Sequence, residues 1–132
     1  MQKPTIINLP KILDARGNLS LFEGSQHLPF EIRRTYLIYD VPGGEVRGGH
    51  AYKKQQEFIV SLSGSFDMIV ESKLETFKFS LNRSYYGLYI PAGYWRHMEN
   101  FSTNSVGLVA ASTHYDEADY IRDFNFLPDL SR

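Results

Sequence analysis

Four histidines stand in the chain, His27, His50, His97 and His114, and His50 has the neighbours most suited to chemistry. It lies in Arg47-Gly48-Gly49-His50-Ala51-Tyr52-Lys53-Lys54, where two glycines let the backbone pass close to another group. Strand alternation puts His50 and Tyr52 on one face. An imidazole, a phenol and a guanidinium, with Lys53 and Lys54 adding positive charge, suit proton transfer on an anionic substrate. The same segment also reads as a strand whose histidine is satisfied by a hydrogen bond at a sheet edge. Spacing alone leaves both readings open. A second cluster runs Gly87-Leu88-Tyr89-Ile90-Pro91-Ala92-Gly93-Tyr94-Trp95-Arg96-His97-Met98-Glu99-Asn100. His27 and His114 fall near a loop and a strand end and read as surface residues, whereas Met68 and Met98 read as core.

Elements that could hold these residues are short strands. Apolar runs recur every ten or so residues between Gly, Pro, Asn and Ser clusters, the punctuation of an all-β chain. The predicted strands are Leu19–Glu23, Arg34–Tyr39, Phe58–Leu62, Phe66–Glu71, Leu74–Leu81, Gly87–Ile90 and Val106–Ser112. In Leu74–Leu81, Phe77, Phe79 and Leu81 share one face, and Thr76, Lys78 and Ser80 the other. Ser63-Gly64-Ser65 reads as a tight hairpin with Gly64 at positive φ. A short surface helix is expected from Asp116 to about Phe124, capped by Asp116 and with Asp119 favourable at its N-terminal end.

Composition narrows the class. The 132 residues make one domain's worth of chain, hydrophobic residues are 42% and charged residues 22%, which is a globular balance. Nineteen aromatics, nine Tyr, nine Phe and one Trp, favour strands. A formal net charge of −1 argues against a nucleic-acid partner, which a basic excess would announce. Cysteine is absent, so disulfides, thiolate nucleophiles and zinc ribbons are excluded. No apolar stretch approaches a membrane span and the first residues carry no secretory pattern, so a cytoplasmic location is expected.

Together the two clusters resemble the cupin family. Its first motif appears as His50-Ala51-Tyr52, then Glu57, then Gly64; its second as Gly87 and Pro91-Ala92-Gly93, with Arg96 where a histidine is usual. The resemblance implies a double-stranded antiparallel β-helix, or jelly roll. Of four metal-ligand positions only His50 and Glu57 carry suitable donors, because Tyr52 is a poor ligand and Arg96 brings positive charge. His97 is one residue out of register, on the opposite face of a strand.

Within metal-free cupins the chain resembles sugar 3,4-ketoisomerases that act on TDP-4-keto-6-deoxyglucose. The matching segments are Asp14-Ala15-Arg16-Gly17-Asn18-Leu19, Pro29-Phe30-Glu31-Ile32-Arg33-Arg34-Thr35-Tyr36, the His50 segment, Leu62-Ser63-Gly64-Ser65, Gly87-Leu88-Tyr89, Trp95-Arg96-His97-Met98 and Tyr115-Asp116-Glu117-Ala118-Asp119-Tyr120-Ile121-Arg122. This resemblance implies one domain over residues 1–132 and a cofactor-independent isomerase that moves a keto group from C4 to C3 through an enediol. It further implies a place in making 3-amino-3,6-dideoxy sugars of surface glycans, and a homodimer with exchanged N-terminal strands. By the same resemblance His50 is the proton-moving base and Tyr36 a site residue, while Tyr52 replaces the family's second histidine. Tyr36, Tyr52 and Arg96 are candidate donors to the enolate oxygen. Arg34 and Arg47 are candidates for the diphosphate, with Arg33 and Lys54 beside them. Positions 16 and 96 track product stereochemistry: Arg16 matches the galacto type and Arg96 the gluco type. A catalytically silent TDP-sugar-binding cupin and a sugar-nucleotide epimerase are the alternative readings.

Overall fold

The computed structural model describes residues 2–130. Among them the strands are β1 (Thr5–Asn8), β2 (Lys11–Ile12), β3 (Leu19–Ser20), β4 (Arg34–Tyr39), β5 (Arg47–Tyr52), β6 (Glu57–Ser63), β7 (Phe66–Glu71), β8 (Thr76–Leu81), β9 (Tyr86–Ile90), β10 (Trp95–Glu99), β11 (Val106–Ala111) and β12 (Tyr120–Ile121). Two five-stranded antiparallel sheets result, ordered β1-β9-β6-β11-β4 and β12-β5-β10-β7-β8, and β2 and β3 form a separate short ladder. This is the expected all-β, cupin-type jelly roll.

The inner faces are apolar: Ile59, Met68, Val70, Leu88, Met98 and Val109 are buried between the sheets. β6 is buried on both sides because its outward Phe58 and Val60 lie under Leu28 and Phe30 of the segment before β4. Its apolar run therefore lacks the usual alternation. On the other sheet, Ala51 of β5 is covered by Ile121 and Leu127. The two coverings leave the cavity-facing ends of β4, β5, β6 and β10 to polar residues.

Three expectations need correction. Ser63-Gly64-Ser65 is not a hairpin, because β6 pairs with β9 and β11 while β7 pairs with β8 and β10. The turn is a corner where the chain changes sheets. Gly64 has φ +67°, and a Cβ there would meet Ser102 and Ser105 of the neighbouring loop. The strand expected at Leu19–Glu23 shrinks to the two residues that pair with Lys11–Ile12.

The helix expected from Asp116 to Phe124 does not form either. Asp116 does cap, accepting from the Ala118 backbone N–H at 3.0 Å, but only a single 3-10 turn follows, Glu117–Asp119. The next residues extend and pair with β5, Tyr120 opposite Tyr52 and Ile121 opposite Ala51. The segment lacks a wide apolar helical face, so pairing with a free sheet edge and burial of Ile121 prevail over local capping. A second 3-10 turn covers Phe124–Phe126. No helix among the described residues is long and apolar enough to cross a membrane.

Candidate active site

A cavity of about 290 Å³ opens between the sheets, and Arg34, Tyr36, Arg47, His50, Tyr52 and Arg96 all line it. Five of these positions follow from alternation on β4, β5 and β10. Arg47 does not, since it lies three residues from His50 and a regular strand would turn it outward. The register explains its place: Arg96 stands opposite His50, His97 opposite Gly48 and Met98 opposite Arg47, so Gly49 has no partner. One extra residue in β5 makes a β-bulge, and the bulge restores Arg47 to the inner face. Gly48 (φ +99°) and Gly49 (φ +87°) occupy the left-handed region that permits it. A Cβ on Gly48 would sit 3.0 Å from both the Arg96 carbonyl oxygen and the His97 Cα, so close backbone approach also demands glycine there.

The floor of the cavity is a buried polar network centred on Glu57, which is 1% exposed. Its carboxylate pairs with Arg96 Nη1 and accepts from the Tyr36 hydroxyl and from Gln55 Nε2, both at 2.7 Å. Gln55 Oε1 in turn accepts from Thr113 Oγ1 at 2.6 Å and Arg34 Nη2 at 3.1 Å. Charged groups at such depth persist only when paired and hydrogen-bonded. Two donors nevertheless stay without a hydrogen-bond partner among the described residues, Arg96 Nη2 and Arg34 Nε. Leaving a buried donor unpaired costs about 1–3 kcal/mol, so donors lining a cavity in this state are positioned for a ligand. Glu57, the surviving carboxylate of the cupin ligand pattern, is committed to three partners and is not free to hold a metal.

Above this floor His50 is half-buried. Its Nε2 lies 3.2 Å from the Tyr52 hydroxyl, which lies 3.4 Å from the Tyr120 hydroxyl. The His50 pKa is pushed down from 6.5 to about 4, first by burial and then by the charges of Arg96 and Arg122. The imidazole is thus neutral, and a competent proton acceptor, throughout the physiological range. Burial, and then the Glu57 charge, push the phenols of Tyr36 and Tyr52 well above their ordinary value. Both therefore remain protonated and act through hydrogen bonds, not as bases.

Arg16 and Lys54 are not brought to the cavity. Arg16 is exposed in the turn after β2 and forms a two-pronged pair with Asp14. Lys54 lines a surface groove with Lys53, Thr113 and His114. Arg33 is likewise outside, paired with Glu31. The cavity also includes Tyr115 and Tyr120, which the sequence reading did not single out. Their signal was obscured because helical spacing over 116–124 would have placed Tyr120 away from β5.

A family model described as FdtA, WxcM-like, C-terminal, matches residues 2–130. A TDP-4-oxo-6-deoxy-alpha-D-glucose-3,4-oxoisomerase from Aneurinibacillus thermoaerophilus is 40% identical over 120 residues, 91% of this chain and 86% of that protein. The WlaRB TDP-quinovose 3,4-ketoisomerase of Campylobacter jejuni superposes with a TM-score of 0.89 at 41% identity, covering 95% of this chain and 96% of that one. The QdtA 3,4-ketoisomerase of Thermoanaerobacterium thermosaccharolyticum, solved as a histidine-to-asparagine mutant with TDP-4-keto-6-deoxyglucose, superposes with a TM-score of 0.91. It is 36% identical, with 96% of this chain and 91% of that one covered.

Proposed function

This chain belongs to the FdtA (WxcM-like, C-terminal) family of TDP-sugar 3,4-ketoisomerases, and from that premise we propose that it converts TDP-4-keto-6-deoxyglucose to the gluco-configured 3-keto sugar. It is a sugar-nucleotide 3,4-ketoisomerase.

The observation that carries it is that the His50 imidazole lines the same cavity as Arg96, whose Nη2 has no hydrogen-bond partner among the described residues. His50 takes the C3 proton, and the C–H electrons pass into the C3–C4 bond as charge develops on the C4 oxygen. Arg96 Nη2 is the donor for that oxygen. Glu57 fixes the guanidinium before substrate arrives, so little reorganisation is needed when charge appears. Tyr36 donates its hydroxyl hydrogen bond to Glu57 and so meets the sugar as an acceptor, which suits orienting a hydroxyl group. Tyr52 stays protonated beside His50. Arg34 and Arg47 are the cations for the diphosphate, and the free Nε of Arg34 supports that role. The C4 oxygen takes up the proton that the C3 hydroxyl gives up, and reprotonation at C4, which leaves the carbonyl at C3, completes the isomerisation.

Of the two positions that track stereochemistry, only Arg96 lines the cavity, and it matches the gluco type. A homodimer with exchanged N-terminal strands belongs to the same reading: Leu37, Tyr39 and Leu62 remain exposed on one sheet, an apolar face that a second copy would cover.

The test is incubation with TDP-4-keto-6-deoxyglucose in deuterated water, following C3 and C4 by NMR. A gluco 3-keto product, lost in His50→Asn, supports the proposal. Binding without turnover would leave a silent sugar-nucleotide module, and inversion at C5 would make the chain an epimerase.

A further inference from the structure

The wall between the cavity and the outside contains three rings in mutual contact. His50 and Tyr52 have centroids 5.0 Å apart, Tyr52 and Tyr120 4.7 Å, and His50 and Tyr120 5.1 Å. Their polar atoms form a chain, His50 Nε2 to Tyr52 Oη at 3.2 Å and on to Tyr120 Oη at 3.4 Å. Tyr52 is 2% exposed, so no solvent reaches it freely. Tyr120 is half-buried and lines two spaces at once: the cavity, and a surface groove with Lys53, Ile121, Arg122, Phe126 and Pro128. Its place is fixed from several sides. Its backbone pairs with Tyr52, and the Arg122 guanidinium, gripped by Glu117 at 2.8 and 2.9 Å, lies 4.3 Å from its ring centroid. The preceding residue, Asp119, accepts from the Lys54 and Gln55 backbone N–H groups at 2.9 and 3.0 Å.

We propose that Tyr120 is the outer member of a proton relay, His50–Tyr52–Tyr120, through which the base exchanges its proton with water. The inference rests on His50 being the base. After His50 Nε2 has taken the C3 proton, that proton passes to the Tyr52 oxygen while Tyr52's own proton passes to the Tyr120 oxygen. Tyr120's proton goes to a water molecule. The reverse run brings a solvent proton to Nε2. Each hydroxyl gains a proton as it gives one up, so no phenolate accumulates and the net change is isotopic. A histidine at position 52 could itself hold the proton, but a phenol beside an imidazole can only pass it on. The geometry therefore gives position 52 a use that needs a second hydroxyl behind it.

The experiment is a partition measurement on the full-length enzyme in deuterated water with TDP-4-keto-6-deoxyglucose. Deuterium entering C3 of the remaining substrate is divided by product formed, and C5, the other carbon next to the C4 carbonyl, serves as the internal control. The wild type is expected to place deuterium at C3. In Tyr120→Phe, which keeps the ring under Arg122 and removes only the hydroxyl, His50 returns the original proton and the ratio falls severalfold. Tyr52→Phe breaks the first link and lowers the ratio at least as far. A wild type without C3 exchange, or a Tyr120→Phe ratio equal to that of the wild type, would overturn the relay. His50→Asn separates the two claims: loss of both exchange and turnover retains His50 as the base, whereas undiminished C3 exchange removes the base and the relay with it.

Discussion

The depressed pKa of His50 makes a sharp kinetic prediction. With its ordinary value of 6.5, about 3% of the imidazole would be neutral at pH 5; with a value of about 4, about 90% would be. If the neutral form is the base, kcat/KM at pH 5 stays within about 10% of its plateau, instead of falling roughly thirtyfold. The assay is kcat/KM across the acid range under conditions where the fold is intact, because that ratio reports the free enzyme. An acid limb with its midpoint near 6.5 would refute the reasoning, since burial and the Arg96 charge would then have no purchase on the ring. Arg122 contributes from outside the cavity, so Arg122→Gln should move the limb towards higher pH. The sign for folding runs the same way. The native state favours the neutral ring, so this contribution to stability is complete above the unfolded pKa of 6.5 and is lost as pH falls through about 4.

Glu57→Gln leaves the Arg96 guanidinium buried without its counter-charge; a loss on the order of 3–5 kcal/mol is expected, read by denaturant or thermal melting, and an unchanged midpoint would contradict the network. Gly48→Ala forces a Cβ against the Arg96 carbonyl and an unfavourable φ, so lower stability with turnover reduced further than the melting point implies is expected; wild-type behaviour would mean the bulge tolerates a side chain. Exhaustive chelation should leave activity complete, because two of the four cupin ligand positions hold Tyr52 and Arg96 and Glu57 is engaged elsewhere; recovery that depends on an added divalent metal would reverse that expectation.

Much of the framework was legible in the residues. β4 and β7 fall where their alternation and turn signals place them, Arg34–Tyr39 and Phe66–Glu71. His50, Tyr52, Tyr36 and Arg96 meet in one cavity because parity on inward-facing strands is a local property that a single sequence displays. What local pattern did not display was settled by distant partners. Gly64 reads as a hairpin until the loop at Ser102 and Ser105 packs on it. The stretch from Asp116 reads as a helix until an open edge of β5 offers Tyr120 and Ile121 a ladder. Gln55 and Glu57 became a hub only once Arg96, Tyr36 and Thr113 arrived from three other parts of the chain. Arg16 carried a family signal, yet its position in an exposed turn depends on where β2 and β3 fold, which its neighbours in sequence do not reveal.

The unpaired residue in β5 makes chain length, as much as side-chain identity, a determinant of the site. Flattening the bulge at unchanged length would keep every functional side chain in the sequence yet turn Arg47 towards solvent, while His50 and Tyr52 still faced the cavity. Removing Gly49 as well would bring Arg47 two residues from His50 and back to the inner face. Inserting one residue between Arg47 and an intact bulge would also turn Arg47 outward. A mutational library over residues 47–52 should therefore vary identity at fixed length and spare positions 48 and 49. Grafting this site onto another barrel would have to carry the six-residue backbone as a unit, since the same residues set on a regular strand would present a different chemical surface.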